Sequence, residues 1–109
     1  MNKKSDILSP TMQGRMEQIG RNLRLARKRR RKTVRQAAEM IGTSESSVRR
    51  MEGGDSSVRF GVFLAALEVY QLEDSLHIAE PEDDVIGLTL DKQRLPERIR
   101  RKKEKKFDF

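Results

Sequence analysis

The chain has no cysteine, no tryptophan, one tyrosine and one histidine among its 109 residues. The lack of cysteine excludes disulfides, thiolate zinc sites and sulfur nucleophiles, and leaves the redox compartment unmarked. A histidine-rich metal site would need a second chain, because His77 stands alone. Asp74 and Ser75 lie too close to it on one short helix to form a relay aimed at a substrate. The seven glycines make neither GxGxxG nor GxxxxGK, so no phosphate loop is indicated. The acidic run at 80–84 lacks the spaced ligands and glycine of a calcium loop. Aromatic residues, at 5%, are too scarce for stacking along single-stranded RNA. No apolar run approaches the roughly 20 residues that span a bilayer. The opening MNKKSDILSP has two lysines but no apolar stretch, so it is not a secretory signal. The expectation is a soluble, cytoplasmic protein that is not an enzyme and takes no metal or cofactor.

What the chain does have is charge, at 38% of residues, with a net value of +7 and its signs segregated. Residues 1–72 carry fifteen basic and seven acidic groups. Residues 73–91 carry seven acids (Glu73, Asp74, Glu80, Glu82, Asp83, Asp84, Asp91) and no lysine or arginine. Residues 92–109 return to nine basic groups against three acids. A basic block, an acidic hinge and a basic tail suggest separate tasks along the chain, and nucleic acid is a natural partner for the basic parts.

Helix signals fill the first block. Ser9-Pro10 is a hydroxyl cap followed by proline at the first helical position. Met12, Met16, Ile19, Leu23 and Ala26 then recur at steps of three and four, which predicts a helix to about residue 31. It ends in RKRRRK, where cations suit the helix dipole. Thr33 and Gln36 fit a capping box for a second helix with Val34, Ala37, Ala38 and Ile41 inward. Gly42 supplies the left-handed stop, and Ser44 caps a third helix with Val48 and Met51 inward. Phe60, Phe63, Leu64, Leu67 and Tyr70 mark a fourth helix, and a short fifth is expected from 73 or 74 to about 78. After Pro81, Ile86, Leu88 and Leu90 alternate with Val85, Gly87 and Thr89, which is strand periodicity.

The two short helices at 33–41 and 44–52, split by Gly42, have the dimensions of a helix-turn-helix. Ala38 is small where the helices approach. Burial of Val48 and Met51 leaves Ser46, Ser47, Arg49 and Arg50 facing outward. Small polar residues at a helix N-terminus can enter a major groove and donate to phosphates, and arginine is the commonest reader of guanine.

The segment KTVRQAAEMIGTSESSVRRMEGG resembles the helix-turn-helix of the Cro and lambda-repressor class, the XRE family. Thr33, Ala38, Gly42, Ser44, Glu52 and Gly54 match its pattern, with Val48 and Met51 in place of two isoleucines. The resemblance covers residues 15–78 and implies an all-α, five-helix DNA-binding domain. It also implies contacts to phosphates or base edges from Ser44, Ser46 and Ser47, with Arg50 as the leading base reader; Arg49, on the same outward face, can reach a guanine edge or the backbone. Val34 stands where the family commonly has glutamine, so Arg35 or Lys32 would take over its phosphate contact. Glu45 either accepts from a cytosine amino group or simply complements the helix dipole. Arg59 either grips the DNA backbone or is an ordinary loop arginine.

The resulting organisation is a disordered N-terminus (1–8), a DNA-binding domain (9–78), an acidic linker and strand (79–91) and a basic tail (92–109). One recognition helix reads only a half-site, so the implied partner is a palindromic double-stranded operator bound by a homodimer. A strand with Ile86, Leu88 and Leu90 could pair with its own copy or with a partner protein. The segment DDVIGLTLDKQRLPERIRRKK is similar to the stretch C-terminal to the domain in HipB-like antitoxin repressors. That similarity implies a HipA-like kinase toxin as partner, in some operons with a further subunit. The basic tail could add counterion-driven DNA affinity or meet an acidic protein, and Phe107 and Phe109 at its end hint at docking. The rival reading is a protein-interaction module of the same fold that binds DNA only non-specifically.

Overall fold

The computed structural model describes residues 7–94. Most of the expected disordered N-terminus and basic tail, with Phe107 and Phe109, therefore lies outside the described residues. The chain divides into two compact units, one ending at Ser75 and the other beginning at Leu76.

In the first unit, four helices close on one core. Helix α1 (Pro10–Arg29) starts where Ser9 Oγ accepts from the Met12 amide at 3.2 Å, with proline at the first position. Its buried ridge is turned slightly from the expected stripe. Leu23 and Ala26 are buried and Met16 packs on the core, whereas Met12 and Ile19 remain nearly half exposed. Gln13, Gly20 and Arg27 are buried instead. The reason is close contact with the end of the third helix. A Cβ at Gly20 would fall 2.5 Å from the Glu52 carbonyl oxygen, so only glycine lets the two backbones approach there.

Helix α2 (Val34–Ile41) has the expected capping box, with Thr33 Oγ1 accepting from the Gln36 amide at 3.0 Å and Gln36 Oε1 from the Thr33 amide at 2.9 Å. Gly42 ends it at φ 87°, a left-handed conformation in which its amide returns to the Ala38 carbonyl. Helix α3 (Glu45–Glu52) begins at Ser44, whose Oγ accepts from the Ser47 amide at 3.0 Å. Helix α4 (Phe60–Val69) brings Val62, Phe63 and Ala66 to the same core, and Tyr70 caps its end with no exposed surface. Val48, Met51, Ala37 and Ala66 are likewise fully enclosed.

The fifth helix expected at 73–78 is only a 3-10 turn, Glu73–Ser75. Both the Ser75 amide and the Ser75 hydroxyl return to the Leu72 carbonyl, which closes the turn on itself, and Ala79 adopts a positive φ of 54°.

The second unit contains the main correction. The strand expected over Ile86, Leu88 and Leu90 is a helix, α5 (Val85–Gln93), preceded by a 3-10 turn at Pro81–Asp83. Asp84 caps it, with Oδ1 accepting from the Gly87 amide at 2.8 Å and its carbonyl from the Leu88 amide at 2.9 Å. A helix pairs its own backbone groups, whereas a lone strand needs a neighbour to do so. The apolar positions are also ambiguous in period: 85 and 88, and 86 and 90, are spaced by three and four. No strand occurs among the described residues, so their architecture is all-α. No described helix is long and apolar enough to cross a membrane.

Candidate nucleic-acid interface

Helix α3 is held from behind and left open in front. Val48 and Met51 have no exposed surface, which fixes its rotation, while Ser46, Arg49 and Arg50 are exposed. A buried ion pair fixes its C-terminal end. Arg27 Nε donates to Glu52 Oε2 at 2.8 Å and Nη2 to Glu52 Oε1 at 3.0 Å. The third donor, Nη1, reaches the Lys32 carbonyl at 2.9 Å. This two-pronged pairing raises the Arg27 pKa, chiefly through the hydrogen bond to Glu52, against the opposing effect of burial. Gln13 Nε2 adds a 2.9 Å bond to the Gly54 carbonyl just beyond the helix. One guanidinium therefore joins the end of α1, the α1–α2 turn and the end of α3.

The basic run at 27–32 is thereby divided. Arg27 belongs to the interior. Arg30 turns onto Tyr70, with Nη2 donating to the Tyr70 carbonyl at 2.8 Å and its guanidinium 5.5 Å from the ring centroid. Burial, followed by the nearby Glu52 charge, raises the Tyr70 pKa above its ordinary value. Lys28, Arg29 and Arg31 are exposed, and Lys32 is half-buried.

Six of the sequence-predicted residues share α3 and its cap. Ser44 Oγ donates to Ser47 Oγ at 3.1 Å, so the cap and the first turn form one hydroxyl cluster. Arg50 folds back over it, donating from Nη1 to Ser46 Oγ at 2.8 Å and from Nη2 to Ser47 Oγ at 3.4 Å. Its Nε also lies 3.9 Å from Asp55 Oδ2. Arg49 Nη2 donates to Glu45 Oε1 at 3.2 Å, one turn back. The front of α3 thus presents hydroxyls and guanidinium groups whose charge is locally matched by Glu45 and Asp55. The Arg49–Glu45 pair is exposed on both sides, and such pairs contribute only about 0.2–1 kcal/mol, so a phosphate or guanine edge can displace Glu45 at small cost.

The remaining predicted residues are spread over other elements. Arg35 lies on α2, exposed, with Nε 3.8 Å from Glu39 Oε2. Arg59 is the exposed N-cap residue of α4, and no side chain caps that helix. Ile86, Leu88 and Leu90 lie in the second unit, all exposed on α5. Neither the Arg50–Asp55 approach nor the Arg27–Glu52 pair carries a sequence signal, because in both cases the partner sits beyond any helical repeat. Asp55 also holds the turn after α3, accepting from the Ser57 amide at 2.9 Å and the Ser57 hydroxyl at 2.7 Å.

The sequence profile of the helix-turn-helix domain matches residues 18–77, more than half of the chain. No curated protein and no solved structure matches the chain.

Proposed function

Since the chain belongs to the helix-turn-helix domain family and carries the DNA-binding regulator's motif, we propose that it is a sequence-specific repressor of the XRE class. It binds a palindromic operator as a homodimer and serves as the antitoxin and autoregulator beside a HipA-like kinase toxin. The observation that carries the DNA reading is the single exposed face of α3. Val48 and Met51 lock its back into the core, and Ser46, Arg49 and Arg50 project from its front. In this reading Arg50 takes a guanine edge, and the Ser44, Ser46 and Ser47 hydroxyls meet phosphate oxygens or base edges. Arg35, Lys32 and Arg59 add backbone contacts that set register. Glu45 either accepts from a cytosine or returns Arg49 to the helix when no DNA is present. The antitoxin role rests on the resemblance of the segment from Asp83 to Lys103 to HipB-like repressors.

The test is binding to the DNA upstream of the protein's own gene against a scrambled duplex, by fluorescence anisotropy at several salt concentrations. The expected preference is roughly a hundredfold, or about 2.7 kcal/mol. Arg50→Ala should lose about 1–3 kcal/mol on the operator and relax its sequence preference. Equal, steeply salt-dependent binding to both duplexes by the unaltered protein would refute the repressor reading and favour the interaction module. Pull-down of a kinase encoded by the adjacent reading frame tests the antitoxin role, and failure of the purified pair to associate would remove it.

A further inference from the structure

Helix α5 is folded but encloses nothing. It has no buried residue, and Val85 and Ile86 are 70% and 75% exposed. Leu88 and Leu90, about half exposed, border a shallow groove with Pro81, Asp84 and Arg94. Ile86, Thr89, Leu90 and Gln93 follow at i, i+3, i+4 and i+7, the spacing of a helix-pairing seam, with Val85 at its edge. Isolated helices of nine residues are marginal in water, so one with its apolar residues outward draws its stability from a partner.

The charges identify that partner. Acids gather before and at the start of α5 (Glu80, Glu82, Asp83, Asp84), whereas its end carries Asp91 beside Lys92 and Arg94 and the residues that follow are predominantly basic. A second copy laid parallel would set acid against acid. Laid antiparallel, it sets each acidic end beside the partner's basic end and also opposes the two helix dipoles.

We propose that α5 is a self-pairing helix: two copies of this chain associate through an antiparallel, two-fold α5–α5 seam centred near Thr89. Ile86 of each copy packs toward Leu90 and Gln93 of the other. Three branched side chains from each copy, Val85, Ile86 and Leu90, leave water together. The seam is about 13 Å long, at about 1.5 Å per residue. That is short, so association is concentration-dependent and is reinforced when both copies sit on one operator. This inference takes only the homodimer from the functional reading above and replaces the expected strand pairing with a helical one.

Sedimentation equilibrium of the full chain over a concentration series tests it. The expected result is a monomer–dimer equilibrium that Ile86→Asp/Leu90→Asp weakens by roughly a hundredfold or more, with the melting temperature of the first unit unchanged. A chain that is monomeric throughout the series overturns both the seam and the homodimer, and gives the α5 face to a different protein. A dimer that survives the double substitution overturns the seam alone. Because the chain has no cysteine, orientation can be read by cross-linking. Val85→Cys mixed with Gln93→Cys should form disulfide-linked dimers faster than either variant alone. Faster linking of each variant to itself would mean parallel helices and overturn the antiparallel arrangement.

Discussion

Helices α3 and α5 are nearly the same length, eight and nine residues, and each begins at a side-chain cap, Ser44 and Asp84. Their surroundings differ completely. Two residues of α3 have no exposed surface and its C-terminal glutamate is bound by a buried arginine, whereas no residue of α5 is buried. Local signals can start a helix, but its persistence and the face it shows depend on what packs against it. For α3 the rest of its own unit does the packing, and the face that remains is polar and cationic. For α5 the exposed residues include four apolar ones, Val85, Ile86, Leu88 and Leu90. The two short helices are thus prepared for opposite surroundings, one for a polyanion and one for another apolar surface.

The contrast is broken most severely at Glu52. Its replacement by alanine leaves Arg27 charged in a site where the two side chains are 9% and 7% exposed. The expected loss is about 3–5 kcal/mol of stability by urea unfolding; a loss under 1 kcal/mol would mean the pair does not brace α3. Next comes a matched pair of truncations. Met51→Ala should cost about 2–5 kcal/mol, from lost burial and the cavity left behind. Leu90→Ala should change the melting temperature of a dilute, monomeric sample little, within roughly 0.5 kcal/mol. Equal effects at the two positions would show that α5 has a buried contact within its own chain.

The caps offer a finer comparison. Ser44→Ala should destabilise the first unit by about 1 kcal/mol, visible as a lower melting temperature. Asp84→Ala should leave that transition in place and reduce only the helical circular dichroism of the second unit. A shared shift in melting temperature would join the two units into one cooperative transition. The smallest effect concerns Tyr70, whose buried hydroxyl has no hydrogen-bond partner among the described residues. Its raised pKa means the folded chain holds that proton more tightly than the unfolded chain. The corresponding stability is fully present below the ordinary tyrosine value of 10.0 and is lost as pH rises through the folded value. Tyr70→Phe should therefore flatten the alkaline fall in stability while costing little at neutral pH; an unchanged alkaline limb would assign the fall to other groups.

Much of the first unit was legible because its determinants are local. Ser9, Thr33 and Ser44 each bond an amide three residues ahead, and Gly42 takes the positive φ that a helix stop requires. Spacings of three and four located the core faces of α2 and α3, whereas on α4 the expected Phe60 and Leu64 are exposed and Val62 and Ala66 are buried beside Phe63. The face of α1 was less legible: Gly20 and Arg27 look ordinary until the end of α3 lies against them. The bond from Gln13 to Gly54 spans 41 positions and that from Arg27 to Glu52 spans 25, and no window of helical periodicity contains either pair.

The order of the amino acids by itself determined the caps, the turn, the four helices of the first unit and the polar character of the outward face of α3. These depend on contacts between residues a few positions apart, whose energies are set by residue type and spacing. Tertiary structure decided which cations of the basic run remain at the surface. Arg27 was drawn inward by Glu52, and Arg30, still exposed, was laid against Tyr70, partners brought near only by packing. It also decided the state of Val85–Gln93. An apolar pattern that fits both periods becomes a helix when Asp84 can cap it and no strand among the described residues stands beside it, because every backbone amide must find an acceptor.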